Sequence, residues 1–151
     1  PPPPPPPPPP PRFQPEDGIR DESLSLVGSE MCIRDSITAF DTKAKTCTFE
    51  FDISTDYCHS GDIVQGGFVT AMLDAAATFA LYGISGKARP TVSSLEIKTN
   101  YFEPSRAGRL TVVGRVVREG YRIAFMEGEV YDPKGTLTAN PSTVAKLSRP
   151  K

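Results

Sequence analysis

Histidine and cysteine are scarce in this chain, with one of the former and three of the latter among 151 residues. That is too few imidazoles and thiols for a four-ligand Cys/His zinc site, and it is no disulfide framework. No metal is therefore expected. An excess of charge is also missing. The formal net charge is −1, which announces neither a nucleic-acid footprint nor an acidic tail. No run of eighteen apolar residues occurs, so no membrane span is expected. These absences lead to the expectation of a soluble protein of a reducing compartment, placed in the cytoplasm, with no nucleic-acid and no membrane partner.

Proline, by contrast, is abundant. Eleven of the 17 prolines form the unbroken run Pro1 to Pro11, which offers no backbone donors and cannot pack a core. Behind it, Gln14 to Asp21 reads QPEDGIRD and differs only at Pro15 from the translation of a flow-cell sequencing adapter. Leu26 to Asp35 reads LVGSEMCIRD, the translation of a transposase-type adapter. Glu22 to Ser25 lie between them, where an index barcode would sit. Residues 1–36 thus resemble translated adapter read-through, although a natural Pro-rich leader would share the composition. They are expected to be an artefactual, disordered leader. The domain is then 37–151, with native N-terminal sequence lost before about residue 37.

Setting aside the leader's three Arg and six acidic residues leaves 14 basic and 12 acidic residues, a formal charge of +2. That balance suits a small anionic ligand. A domain of this size buries a modest core, which oligomerisation would supplement.

In Ile37 to Ile53, Phe49 and Phe51 alternate with Glu50 and Asp52, the period of a half-buried strand. Asp41-Thr42-Lys43 is the expected hairpin turn. Thr55 to Ile63 reads as a polar loop. Gly66 to Tyr82 reads as one helix, rich in Ala, Leu and Met, with Gly83 as its stop. It is apolar nearly all round and is expected to be buried. Val92–Phe102, Arg109–Arg118, Ile123–Tyr131 and Leu137–Leu147 read as strands. The short turns between them imply an antiparallel meander, and the five prolines of the domain read as turn punctuation. A lone apolar helix needs a curved sheet around it, so the fold class is α+β in the hot-dog arrangement.

The helix carries a single charge, Asp74. A carboxylate in mid-helix competes for the backbone and is costly among apolar neighbours. It lies either on a solvent-facing edge or beside a partner with a task. Gln65-Gly66-Gly67 opens the helix. Unpaired N–H groups at a helix N-terminus hold anions and developing oxyanions, although a Gly-rich turn into a helix also needs no further role. Gly66 and Asp74 are separated by about 12 Å along the axis at ~1.5 Å per residue. If both act on one atom, two antiparallel helices of different subunits must supply them.

The segment Gln65 to Asp74, QGGFVTAMLD, resembles the HGG-x6-D signature of hot-dog acyl-CoA thioesterases. It is most similar to the phenylacetate-degradation (PaaI-like) branch of the 4-hydroxybenzoyl-CoA thioesterase superfamily. Ser94 to Gly108 (SLEIKTNYFEPSRAG) resembles that family's strand and NYxxPxxxG turn, and Val116 to Val130 resembles its next two strands. The resemblance covers nearly all of 37–151. It implies that Gly66 supplies an oxyanion-hole N–H, that Asp74 is general base or nucleophile, and that Ser94 positions water. Two positions depart from the pattern. Gln65 stands where the family has His, and it can donate a hydrogen bond but cannot titrate. His59 stands where the family often has Asn; it is either a donor to the substrate or a plain loop histidine.

Coenzyme A carries phosphates, so Gly67, Arg106, Arg118 and Arg122 are candidate substrate-binding residues beside the reading of the arginines as solvated surface. Cys47 and Cys58 read as ordinary cysteines, and Tyr101 and Phe102 as core and dimer-interface aromatics. The implied activity is hydrolysis of an acyl-CoA thioester by a homodimer or homotetramer. No cofactor is implied, coenzyme A being part of the substrate. The alternatives are a non-catalytic acyl-CoA-binding module and a hot-dog acyl-thioester dehydratase.

Overall fold

A computed structural model describes residues 34–86 and 89–149. Its elements in chain order are β1 (Arg34–Asp41), β2 (Thr46–Ile53), a short 3-10 turn (Thr55–Tyr57), β3 (Cys58–Ser60), β4 (Ile63–Val64), α1 (Gly66–Ser85), β5 (Thr91–Tyr101), β6 (Gly108–Glu119), β7 (Ile123–Tyr131) and β8 (Leu137–Ser148). Up to residue 33 the leader lies outside the described residues. β1 begins at Arg34, which pairs with Asp52, so this strand takes in the last three residues of the segment set aside as leader.

The β1–β2 hairpin closes at the expected place. Asp41 Oδ1 accepts the N–H groups of Lys43 and Ala44 at 2.8 and 2.9 Å, and Lys45 takes the left-handed conformation, φ 56°, that the turn requires. The alternation in β2 is realised. Phe49 and Phe51 are buried, stack at 5.5 Å between centroids, and Phe49 meets Phe79 of α1 edge-on. Each such burial stabilises the domain by roughly 1.5–3 kcal/mol.

Six antiparallel strands form the main sheet in the order β1-β2-β6-β7-β8-β5, and β3-β4 form a separate two-stranded ribbon. The helix lies on the inner face of the sheet, above all on β6. A Cβ at Gly114 of β6 would stand 2.2 Å from the Ala76 carbonyl, so glycine there sets how closely helix and sheet approach. By length and composition α1 could cross a membrane, but Leu73, Ala76, Ala77, Ala80 and Leu81 are completely buried against the sheet. This is the α+β hot-dog arrangement expected from the sequence.

Four readings are corrected. The polar loop 55–63 contains β3, which pairs with β4. The helix does not stop at Gly83 but runs to Ser85, with Gly86 (φ 61°) as its cap. Gly83 is there because the ring of Phe40 packs onto it, within 2 Å of where a Cβ would sit. The meander holds for β6-β7-β8 only. β5 sits at the far edge beside β8, and its loop to β6 is tied across the sheet end by Phe102 N–H to Thr138 O and Val64 N–H to Ser105 O, both 2.8 Å. Pro141 is not turn punctuation but lies inside β8, opposite Thr99. Proline has no ladder donor, and the adjacent Asn140 Nδ2 donates to Gly128 O at 3.3 Å instead.

Candidate functional site

One flank of α1 is polar, and β5 runs antiparallel along it. Gly66, Thr70 and Asp74 recur at four-residue spacing, which places them on one side of the helix. Each meets β5. Tyr101 Oη donates to Gly66 O at 2.7 Å. Thr70 Oγ1 lies 2.9 Å from both Thr99 Oγ1 and Tyr101 Oη. Ser94 Oγ donates to Asp74 Oδ1 at 2.7 Å. Asp74 is half-buried and Ser94 exposed. The carboxylate therefore has one oxygen held and, among the described residues, no partner on the other.

The helix start is shaped by its neighbours. Gln65 N–H donates to Tyr57 O at 2.9 Å, and Gln65 O accepts from Phe68 and Val69 N–H at 2.9 and 3.3 Å. Gly66 and Gly67 supply the first N–H groups of the helix, which have no acceptor one turn back. Glycine at 66 has a specific cause, because a Cβ there would come within 3.1 Å of Tyr101 Oη. Nothing crowds Gly67.

The other candidate residues are distributed as follows. Gln65 is exposed at the N-cap, and its side chain caps nothing. His59 is exposed on β3, with Nδ1 2.8 Å from Ser60 Oγ, so it pairs with its neighbour rather than with Asp74. Arg106, in the β5–β6 loop, forms an ion pair with Asp62. Arg118 lies near the far end of β6, and Arg122 in the turn beyond it. At ~3.4 Å per residue Arg118 is more than about 30 Å from Arg106 along the strand. The three arginines do not form one rim within a protomer.

Thr70, Thr99 and Tyr101 were missed by sequence reasoning. The four-residue repeat Gly66, Thr70, Asp74 was the available signal for the first. Tyr101 is no core residue, being 52% exposed, yet its hydroxyl is committed to the helix start.

At the same end of the sheet a cavity of about 460 Å³ opens among Asp62, Glu103, Arg106, Asp132 and Lys134. Its charges are largely spoken for. Asp132 accepts the N–H groups of Thr136 and Lys134, and these, that of Thr136 first, hold its carboxyl below the ordinary range. Burial pushes the Cys47 thiol up to about 12, so this cysteine is an inert core residue. No group of three or more possible metal ligands occurs among the described residues.

Comparison with known proteins places the fold. Residues 61–139 match the family model of the thioesterase superfamily. The protein SSO1253 of Saccharolobus solfataricus, which carries an esterase name, is 30% identical over 90 residues, covering 60% of this chain and 59% of its own. The chain spans about three fifths of the length of the curated relatives it matches. Among solved structures, a phenylacetic acid degradation-related protein of Ralstonia eutropha JMP134, which carries a thioesterase name, superposes with a TM-score of 0.67 at 24% identity, covering 74% of this chain and 83% of that one. A thioesterase protein of Streptococcus pneumoniae TIGR4, solved with coenzyme A, superposes with a TM-score of 0.69 at 12% identity, over 78% and 88% of the two chains. At these identities the structural likeness speaks for the fold alone.

Proposed function

Since the chain belongs to the thioesterase superfamily, we propose that it hydrolyses an acyl-CoA thioester to the free acid and coenzyme A. The observation that carries this reading is the Asp74 carboxylate, half-buried on the core helix with Oδ1 held by Ser94. Ser94 orients the group and leaves Oδ2 to take a proton from water. That water attacks the thioester carbonyl carbon. The oxyanion that forms is received by the Gly66 N–H at the helix N-terminus, a contribution worth several kcal/mol in such sites. Collapse of the tetrahedral intermediate expels the thiolate of coenzyme A. Direct attack by Asp74, through an anhydride, is the other route open to the same carboxylate.

Gly66 and Asp74 are eight residues apart on one continuous helix, so a single protomer cannot present both to one carbonyl. The site is therefore shared across a two-fold axis in a homodimer or homotetramer. The exposed edge strand β5, with Leu95 and Tyr101 open to solvent and Phe102 just beyond it, supports it as the element that meets the partner. Sedimentation is expected to find at least a dimer; a stable, active monomer would overturn the shared site. Gln65 reaches the thioester carbonyl through its amide. Arg118 and Arg122, together with Gly67 and Arg106, take the phosphates and nucleotide from different protomers. The coenzyme A bound to the S. pneumoniae protein supports this substrate class. The reaction needs no metal and no cofactor beyond the coenzyme A of its substrate, and cytoplasmic acyl-CoA pools would provide it.

The test is hydrolysis of a panel of acyl-CoA thioesters, from acetyl through aryl to long-chain, by the parent and Asp74→Asn. Turnover by the parent alone supports the reading. Binding without turnover by both proteins would favour a non-catalytic acyl-CoA-binding module. Equal turnover would move the base elsewhere, with His59 next in line. A hot-dog dehydratase needs an imidazole beside a carboxylate, and the one between His59 and Ser60 is the wrong pair.

A further inference from the structure

The hydroxyls beside the helix start form a chain with a defined direction. A backbone carbonyl can only accept, so the single proton of Tyr101 Oη goes to Gly66 O at 2.7 Å. Tyr101 Oη must then accept from Thr70 Oγ1, 2.9 Å away. Thr70, its own proton committed, must accept from Thr99 Oγ1, also 2.9 Å away. The order is Thr99 to Thr70 to Tyr101 to the Gly66 carbonyl, and each donation strengthens the next.

The Gly66 carbonyl belongs to the same peptide unit as the Gly67 N–H. In a trans peptide the two point in opposite directions, so loading the carbonyl polarises an N–H aimed out of the helix N-terminus. The preceding peptide is loaded similarly, since Gln65 O accepts from both Phe68 and Val69 N–H, and its N–H is that of Gly66. Two adjacent terminal donors are thus both backed by hydrogen-bonded carbonyls. Tyr101 Oη also stands 3.1 Å from where a Cβ at 66 would sit, so a side chain there would press on the hydroxyl.

We infer that Tyr101, driven by Thr70 and Thr99, is a positioning residue that tunes the Gly67 N–H into a second oxyanion donor beside Gly66. The inference rests on the thioesterase reading and deepens it. It assigns a task to three residues that contribute no acid, base or nucleophile.

The test compares the parent, Tyr101→Phe, Thr70→Val and the double variant, first in thioester hydrolysis and then by the amide proton shift of ¹⁵N-labelled Gly67 without substrate. Tyr101→Phe keeps the ring and removes only the hydroxyl. It is expected to lower kcat roughly tenfold at unchanged KM, less than the ~10²–10³-fold of losing an oxyanion donor outright, and to move the Gly67 proton upfield. Thr70→Val should act in the same direction more weakly. The double variant should be no worse than Tyr101→Phe, because the two act in series. An unchanged kcat, a rise in KM alone, or an unmoved Gly67 proton would overturn the inference. Absence of hydrolysis by the parent on the whole panel would overturn the proposed function instead, and the Gly67 shift would still decide whether the hydroxyl chain tunes that amide.

Discussion

The two flanks of α1 obey different rules. On the sheet side, Leu73, Ala76, Ala77 and Ala80 are fully buried, and backbone touches backbone at Gly114. Nothing there can grow without moving the layers. On the β5 side the contacts are hydrogen bonds between small polar groups, Asp74 to Ser94 and Gly66 through Tyr101 and Thr70 to Thr99. That flank is half-open, and its strand is one of the two edges of the sheet. The same twenty residues therefore serve as both the centre of the core and the wall of a site. The core side holds the helix rigidly enough for weak polar contacts on the other side to have fixed geometry.

Substitution on the core side is expected to have the largest effect. Gly114→Val places a side chain onto the Ala76 carbonyl and should cost about 3 kcal/mol or more. In a domain of this size that lowers Tm by roughly 10 °C or more in a thermal melt. Unaltered melting would mean the helix does not rest on Gly114 at all.

On the polar flank the effect should fall on chemistry instead. Asp74→Asn is expected to reduce turnover by ~10²-fold or more with little change in substrate binding and no loss of Tm. Asp74→Ala should match it in turnover and hold or raise Tm, since it removes a half-buried charge and improves helix propensity. If either variant lost stability as Gly114→Val does, the contrast between the flanks would collapse.

A subtler change sharpens the same contrast. β5 bulges between Ser94 and Glu96, with Ser94 opposite Ala145 and Glu96 opposite Val144. Deleting Leu95 removes the extra residue while keeping Ser94 and Ile97 on the inner face. The variant should stay folded and retain turnover within about tenfold of the parent. Complete loss of activity would show that the bulge has a role beyond turning Ser94 inward.

A pH-dependent effect is expected at Cys47, deep on the core side. Its thiol ordinarily ionises near 9.0 and is raised to about 12 by burial. The folded state favours the neutral form, so this contribution is intact below pH 9 and is lost as pH climbs from 9 toward 12. Denaturant melts across that window should show declining stability, and a thiol reagent should reach Cys47 only on unfolding.

Much of this was legible in the chain. The Phe49–Phe51 alternation, the Asp41 turn, the long Ala-rich segment after Gly66-Gly67 and the lone Asp74 are local signals, read through period and propensity. The order of strands was not. β5 follows the helix directly, and nothing in its composition says that it bypasses β6 to pair with β8. Gly83 looked like a helix stop because glycine usually is one, and only the ring of Phe40 lying on it explains why a glycine stands inside the helix.

The sequence by itself determined the long strands and the helix, the charge on the helix and the glycines at its start, because these depend on neighbours a few residues away; the short β3–β4 ribbon it did not. Tertiary structure alone decided which residues meet Asp74 and Gly66. Strict two-residue alternation counted back from Tyr101, Thr99 and Ile97 would have turned Leu95 toward the helix and Ser94 away from it. A single bulged residue reverses that. It arises where β5 adapts to β8 across the sheet, a pairing between segments some fifty residues apart that no local pattern encodes.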